Sequence, residues 1–352
     1  MSVGFKAVQW TSFKRRYDCV LWLSALTMTG VFITVTHFTT PEGESFHPVQ
    51  LVMRACALTA FILLTFTLSI GPLARLSDRF KPLLYNRRHL GVTVFGFGLV
   101  HVILVVMWYH GFSDTNPLIS LISMNPNYNR IYGFPFESLG LVAFFILFLM
   151  ASTSHDFWND LLSAPVWKCI HMLVYPAYAL LVAHVILGAL QDQKGVILAL
   201  LVSVATLWLI ALHLFTAIRE LRHDRLADRP EVEGWLDAGP ALSIPDGRAV
   251  MIAVSGGERI AVFRDGLRIA ALSGVCRHQN GPLGEGHVIK GCVVCPWHGW
   301  EYRLEDGCAP APFTEKISTY PVRLTGDRIE VRAAPLPPGT RSEPVLLSEG
   351  IV

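Results

Sequence analysis

Charge is scarce in this sequence. Asp, Glu, Lys and Arg make up 16% of the 352 residues, against about 25% in an average soluble domain. The net charge is only +2, which excludes the basic footprint that nucleic acid requires. Cysteine is scarce too, and seven in a chain of this length do not make a disulfide framework. No A-x-A-like cleavage site follows the first apolar run, so an anchored first helix is expected rather than a removed signal peptide. There is no internal repeat. What takes the place of charge is apolar surface: 52% of the residues are hydrophobic, and they crowd into the first 218 positions. The remainder has the composition of an ordinary soluble domain.

The apolar residues form six runs, at about 19–38, 50–71, 90–111, 136–153, 167–190 and 196–218. Most of these runs approach the roughly 20 residues a helix needs to cross a bilayer. Basic residues orient them. One set of flanks holds fourteen: Lys6, Lys14, Arg15, Arg16, Arg75, Arg79, Lys81, Arg87, Arg88, Lys168, Arg219, Arg222, Arg225 and Arg229. The other holds three, Arg54, Arg130 and Lys194. Because the basic side is cytoplasmic, six crossings put both termini and the soluble domain in the cytoplasm, as in a multi-pass protein of a bacterial-type inner membrane. A long outer loop, about 112–135, separates the third and fourth runs.

Histidines within the runs are functional candidates, since such groups are costly in a membrane. His101 lies in the third run and His184 in the fifth, with His89 and His171 near the starts of the same two helices. Imidazoles on both faces of an iron porphyrin make a b-type haem, and a helical bundle is a natural place for one. His171 and His184 are thirteen residues apart, a rise of about 20 Å that suits two stacked haems. Thirteen steps fall off a single helix face, but Pro176 lies between them and is expected to kink and re-phase the helix. His213, in the sixth run, reads as a core histidine bonded to a neighbouring carbonyl.

Past Arg229 the pattern becomes short β-type runs at Ala249–Val254, Ile260–Phe263 and Ile269–Leu272. A hairpin is expected at Gly326-Asp327, flanked by the alternating Val322, Leu324, Ile329 and Val331. Within this region lie Cys276-x-His278 and Cys295-x-x-His298, with sixteen residues between the two pairs. Two thiolates and two imidazoles suit a zinc ion or a [2Fe–2S] cluster with cysteines on one iron and histidines on the other. Zinc fingers present their second pair from a helix, and no helical pattern is present here. Gly281, Gly284, Gly286 and Gly299 let the chain turn around an inorganic core, and Trp297 and Trp300 can pack beside it. Cys19, Cys56 and Cys169 read as core residues, and Cys292 and Cys308 are not expected to pair.

These two ligand pairs, with the proline-bearing loop of Pro310 and Pro312, resemble the Rieske family. The resemblance implies a [2Fe–2S] cluster held by Cys276, His278, Cys295 and His298. Quinol-oxidising members add two cysteines that form a disulfide, and the matching positions here are Gly281 and Trp297. The chain therefore resembles the ferredoxin and oxygenase branch, which suits a reducing compartment.

Residues 20–218 resemble the ferric reductase-like transmembrane family. The matching pieces are Asn86-Arg87-Arg88-His89-Leu90-Gly91 with His101 beyond, and Trp167-Lys168-Cys169-Ile170-His171 with His184 beyond. This resemblance implies an outer haem on His101 and His184 and places His171 at a second, inner one. The inner partner in that family falls fourteen residues before His101, which here is Arg87. His89 supplies the inner ligand only if the helix start is irregular; otherwise Arg87, Arg88 and His89 anchor the helix or meet haem propionates. Within that family, ferric reductases and NADPH oxidases carry flavin- and nicotinamide-binding domains after the bundle. The residues after Ile218 are too few for both, and no G-x-G-x-x-G follows a strand.

The expected architecture is a membrane all-α six-helix bundle followed by a small all-β Rieske domain. Residues 1–229 form the haem-binding bundle, 230–334 the cytoplasmic Rieske domain, and 335–352 a loose Pro-rich tail. Within this scheme 230–247, with Pro230, Gly239, Pro240 and Pro245, serves as a tether. The expected function is single-electron transfer between the cluster and one or two b haems, toward an acceptor at the outer face. Its expected partners are a cytoplasmic reductase or ferredoxin, membrane lipid, and a quinone or periplasmic acceptor. A quinone-linked oxidoreductase and a redox sensor are the alternatives.

Overall fold

The computed structural model describes residues 12–39, 46–112, 114–123, 127–155, 158, 161–162, 164–192, 196–227, 232–254, 257–278, 280–296 and 299–347. The chain divides into two compact units. One is Met1–Ala74 with Asn86–His213, and the other Arg75–Tyr85 with Leu214–Val352.

Six helical spans are long and apolar enough to cross a membrane. They are α1 (Arg15–Thr39), α2 (Pro48–Leu76), α3 (Arg87–His110), α4 (Phe136–Thr153), α5 (Val166–Gln191) and α6 (Val196–Arg222). Their surface is oily: Val20, Leu23, Phe38, Phe145, Val204 and Leu207 are all exposed. Their interior carries the polar groups. Thr29 on α1 meets Thr59 on α2 through hydroxyls 2.8 Å apart, and Thr29 also donates to the Ala25 carbonyl at 2.9 Å. Small hydroxyl side chains satisfied across or within helices are how polarity is tolerated away from water. Cys56 is buried as expected, whereas Cys19 and Cys169 are exposed; an apolar run marks a lipid-facing position as readily as a core one.

Two spans are irregular. At its end α3 takes a π-helical turn, Val106–His110. In α5 regular helix stops at Met172 and resumes at Val174. There the Leu173 N–H reaches the Ile170 carbonyl at 3.1 Å, a three-residue step. Pro176 has no N–H to give and its ring crowds the carbonyl four residues back, so the break falls on the turn before it.

The β domain is three small sheets. β1 (Trp235–Pro240), β10 (Arg328–Arg332) and β9 (Val322–Thr325) form the first. The second runs β11 (Val345–Leu346), β4 (Arg268–Ser273), β3 (Ile260–Asp265), β2 (Ala249–Ile252), and β8 (Thr319–Tyr320) also pairs with β4. The third is β5 (His287–Ile289), β6 (Cys292–Val294) and β7 (Glu301–Arg303). The Gly326-Asp327 hairpin joins β9 to β10, and Gly326 takes the positive φ of 66° that the tight turn needs. One core packs Ile244, Ile260, Ile269, Ile329 and Val331; a second packs Phe263, Leu272, Leu283, Val293 and Tyr302 together with Cys276 and Cys295.

Two expectations need correction. The span 230–247 is no tether from Trp235 onward, because Trp235–Pro240 is strand β1 against β10 and Ala238, Ala241 and Ile244 are buried. Its glycine and prolines serve a strand irregularity between Asp237 and Gly239 and a strand end, not slack chain. Residues 228–231, including Arg229 and Pro230, lie outside the described residues.

Nor are residues 335–347 a loose tail. Val345 and Leu346 pair with Ile269 and Arg268, the Thr319 hydroxyl donates to the Thr340 carbonyl at 2.7 Å, and Leu347 enters the core. Composition reports proline, but it does not report the open edge of β4 that this segment covers. Residues 348–352 lie outside the described residues. Leu347 is 3% exposed, so Leu347→Ala is expected to cost about 2–5 kcal/mol. A denaturant titration of the full-length protein reads this as a lowered midpoint for the β domain, and an unchanged midpoint would make the segment dispensable to the fold.

Candidate redox centres

In the β domain two loops, between β4 and β5 and between β6 and β7, carry the cysteine and histidine pairs. They are built alike. The Cys276 N–H donates to the Gly281 carbonyl at 2.9 Å, and the Cys276 carbonyl accepts from the Asn280 N–H at 2.8 Å. In the second loop the Cys295 N–H donates to the Trp300 carbonyl at 2.7 Å, and its carbonyl accepts from the Gly299 N–H at 2.9 Å. Offsets of five and four residues thus recur, and the fourth residue is left-handed in both loops, Asn280 at φ 56° and Gly299 at φ 69°. Glycine and asparagine are the residues that accept this conformation most easily.

Both cysteines are in one buried core, Cys276 at 0% and Cys295 at 2% exposure. His278 is half-buried, its ring parallel to Trp300 with centroids 4.3 Å apart and planes 3° apart. Phe313, from the proline loop, packs on Trp300 at 4.3 Å. His298 and Trp297 lie outside the described residues. Cys292 and Cys308 do not pair with each other.

Two buried thiols on matching turns, with an imidazole at the edge of the same core, fit an iron–sulfur donor set. Tyr302 adds something the spacing did not announce. Its hydroxyl stands 3.5 Å from Cys276 Sγ and accepts the Arg277 N–H at 3.1 Å. Burial first, and then the neighbouring Cys276, push the phenol above its ordinary range. It therefore stays protonated and can donate to a thiolate. Hydrogen bonds to sulfur raise a cluster's potential. Tyr302→Phe is expected to lower the midpoint on the order of 60 mV, equivalent to about 1.4 kcal/mol for one electron. A dye-mediated redox titration measures it; an unchanged or higher midpoint would remove Tyr302 from this role.

In the helical unit the structure brings His101 and His184 together, ring centroids 6.4 Å apart and planes 80° apart. Each Nδ1 meets a main-chain carbonyl, His101 on Met53 at 3.1 Å and His184 on Phe136 at 2.8 Å. A carbonyl on one ring nitrogen fixes the tautomer and leaves Nε2 for a metal. Two metal–nitrogen bonds of about 2 Å, plus about 1.1 Å from each nitrogen to its ring centre, span about 6.2 Å. The observed separation fits iron between the rings. Gly140 makes room for one of them, since a Cβ there would stand 2.8 Å from His184 Cε1. Met53, Phe136 and Gly140 had no signal in the sequence.

The inner candidates are not brought together. His89 Nδ1 pairs with Asp18 Oδ1 of α1 at 2.7 Å, and the Tyr17 ring stands edge-on to it. His171 stacks on Trp167 at 3.7 Å, with Nδ1 toward the Trp167 carbonyl and Nε2 3.3 Å from the Ser154 hydroxyl. Arg87 and Arg88 are exposed at the start of α3. His213 bonds the Leu209 carbonyl at 2.9 Å, as a core histidine does, and also meets the Tyr175 hydroxyl at 3.2 Å.

A bundle of six apolar spans joined to a small β domain with two thiol-and-imidazole loops defines a multi-pass membrane electron-transfer protein. The chain belongs to the Rieske [2Fe-2S] domain family through residues 234–321 and carries a ferric reductase like transmembrane component over residues 54–182. The anthranilate 1,2-dioxygenase ferredoxin subunit of Burkholderia cepacia is 39% identical over 79 residues, 22% of this chain and 73% of that protein. The ferredoxin component of the naphthalene 1,2-dioxygenase system of Pseudomonas aeruginosa is 31% identical over 100 residues, 28% of this chain and 95% of that protein. The heme-binding subunit of protein-methionine-sulfoxide reductase from Herminiimonas arsenicoxydans is 28% identical over 165 residues, 47% of this chain and 69% of that protein. Among solved structures, the Sphingomonas yanoikuyae B1 ferredoxin is similar with a TM-score of 0.26 and 26% identity, over 28% of this chain and 96% of that one.

Proposed function

We propose that this protein carries single electrons from a cytoplasmic reductase or ferredoxin, through a Rieske cluster and b haem, toward an acceptor at the outer face. The His101–His184 pair carries the reading: two imidazoles, each fixed by a carbonyl, 6.4 Å apart, in the chain that also holds the two-loop thiol site. When bound, cluster and haem each take up and give back one electron.

The residues have distinct tasks. Cys276 and Cys295 would hold one iron from inside the core, and His278 at its edge, together with His298 of the same motif, would hold the other. His101 and His184 hold haem by their Nε2 atoms. The pairing of His89 with Asp18, and of His171 with Ser154, supports a single haem, so His89 ties α3 to α1 instead of serving as a ligand. The basic flanks of the spans support a cytoplasmic β domain.

Rapid mixing with a chemically reduced ferredoxin-type donor tests the route. Haem reduction is expected to slow at least about tenfold, or about 1.4 kcal/mol in barrier, in His298→Ala relative to wild type. Equal rates would take the cluster off the path. A reporter fused after Val352 is expected to be active only in the cytoplasm; activity on the outer side would overturn the orientation.

A further inference from the structure

Trp300 is tied to both ligand loops and to the proline loop. Its carbonyl takes the Cys295 N–H at 2.7 Å, which closes the second loop. Its ring lies against the His278 imidazole of the first loop, 4.3 Å away and within 3° of parallel. The Phe313 ring of the proline loop packs on it, also at 4.3 Å. Trp300 Nε1 is buried and meets no acceptor among the described residues. The ring is therefore held by its main chain and by stacking, with no side-chain hydrogen bond to turn it elsewhere.

We propose that Trp300 is a positioning residue, which fixes the plane of the His278 imidazole and keeps water from one of its faces, with Phe313 as its backing. The inference rests on the reading of His278 as a cluster ligand. An imidazole bound through one nitrogen can still rotate about that bond, and its plane governs how its orbitals meet the metal. A flat, rigid indole in van der Waals contact removes that freedom. Solvent exclusion acts in a second way. A cluster of two ferric ions, two sulfides, two thiolates and two neutral imidazoles has no net charge, and one electron makes it −1. Water admitted to its edge favours the reduced form, and exposure is one of the levers on such potentials.

The test uses the full-length protein in detergent, reduced with dithionite, and reads the electron paramagnetic resonance of the reduced cluster beside its midpoint potential. Trp300→Ala is expected to shift and broaden the g-values and to raise the midpoint, with two non-haem irons per chain retained. Trp300→Phe, which keeps a flat ring against His278, is expected to restore narrow lines. Phe313→Ala, which leaves Trp300 unbacked, is expected to broaden them to a lesser degree. A role confined to folding would lower thermal stability and leave the spectrum of the folded fraction as in wild type, and that result would overturn the proposal. Should Trp300→Ala lose its iron, the other two variants decide, and wild-type spectra in both would equally overturn it. A reduced-cluster signal that survives unchanged in His278→Ala would instead bring down the ligand reading beneath it.

Discussion

His184→Ala is expected to remove the b haem entirely, and His101→Ala to remove the same one. On the proposed reading each imidazole would hold one face of a single iron. Both rings are anchored by carbonyls of other helices, His101 by Met53 of α2 and His184 by Phe136 at the start of α4. Cutting either side chain back to a methyl group would leave a single imidazole to hold the haem and a void where the other ring stood. Haem per chain, measured as the pyridine haemochromogen, is expected to fall to background in both variants, with no intermediate content in the double variant. Gly140→Ala is a graded version of the same test. Its Cβ would collide with the His184 ring at 2.8 Å, and displacing a ligand in this way is expected to weaken retention about 10–100-fold, as loss of an orienting partner does. Spectra unchanged by His184→Ala would defeat the haem assignment in the bundle.

Cys276→Ser or Cys295→Ser is expected to abolish the other centre. Wild-type protein should yield about two non-haem irons and two acid-labile sulfides per chain, and either variant neither. The effect is expected to reach the fold as well. At 0% and 2% exposure, these sulfur atoms sit among Phe263, Leu272, Leu283 and Tyr302. A serine hydroxyl placed there must find a partner or cost about 1–3 kcal/mol, so a lowered unfolding midpoint should accompany the lost iron. Zinc in place of the two non-haem irons in anaerobically prepared wild-type protein would sink the assignment.

Much of this was legible along the chain because the signals are local. A membrane span is a run of apolar residues, and all six runs correspond to spans in the structure. The two ligand pairs are short motifs, and the Gly326-Asp327 hairpin follows from alternation around a turn. The break in α5 was announced by Pro176. What stayed hidden depends on pairs distant in sequence. Asp18 meets His89 across 71 positions, Phe136 meets His184 across 48, and Tyr302 reaches Cys276 across 26. No periodicity reports such contacts. Proline content misled twice, at 235–247 and at 335–347, because an extended segment looks the same in composition whether it dangles or completes a sheet.

Strand β4 shares one length of edge between two short partners, β8 at Ala271 and Leu272, and β11 at Val345 and Leu346 beside Ile269 and Arg268. Both partners arrive well after β4 in the order of synthesis. A growing chain therefore presents β4 with bare main-chain donors and acceptors while the later segments are still being made. Such an edge invites pairing with another chain, and closure by distant partners is slow because the intervening loop must be ordered first. The longer that edge waits, the more chains are expected to be lost before the domain closes. Slower synthesis, or any change that delays docking of Val345–Leu347, is expected to divert chains into aggregates even where the finished fold would have been stable.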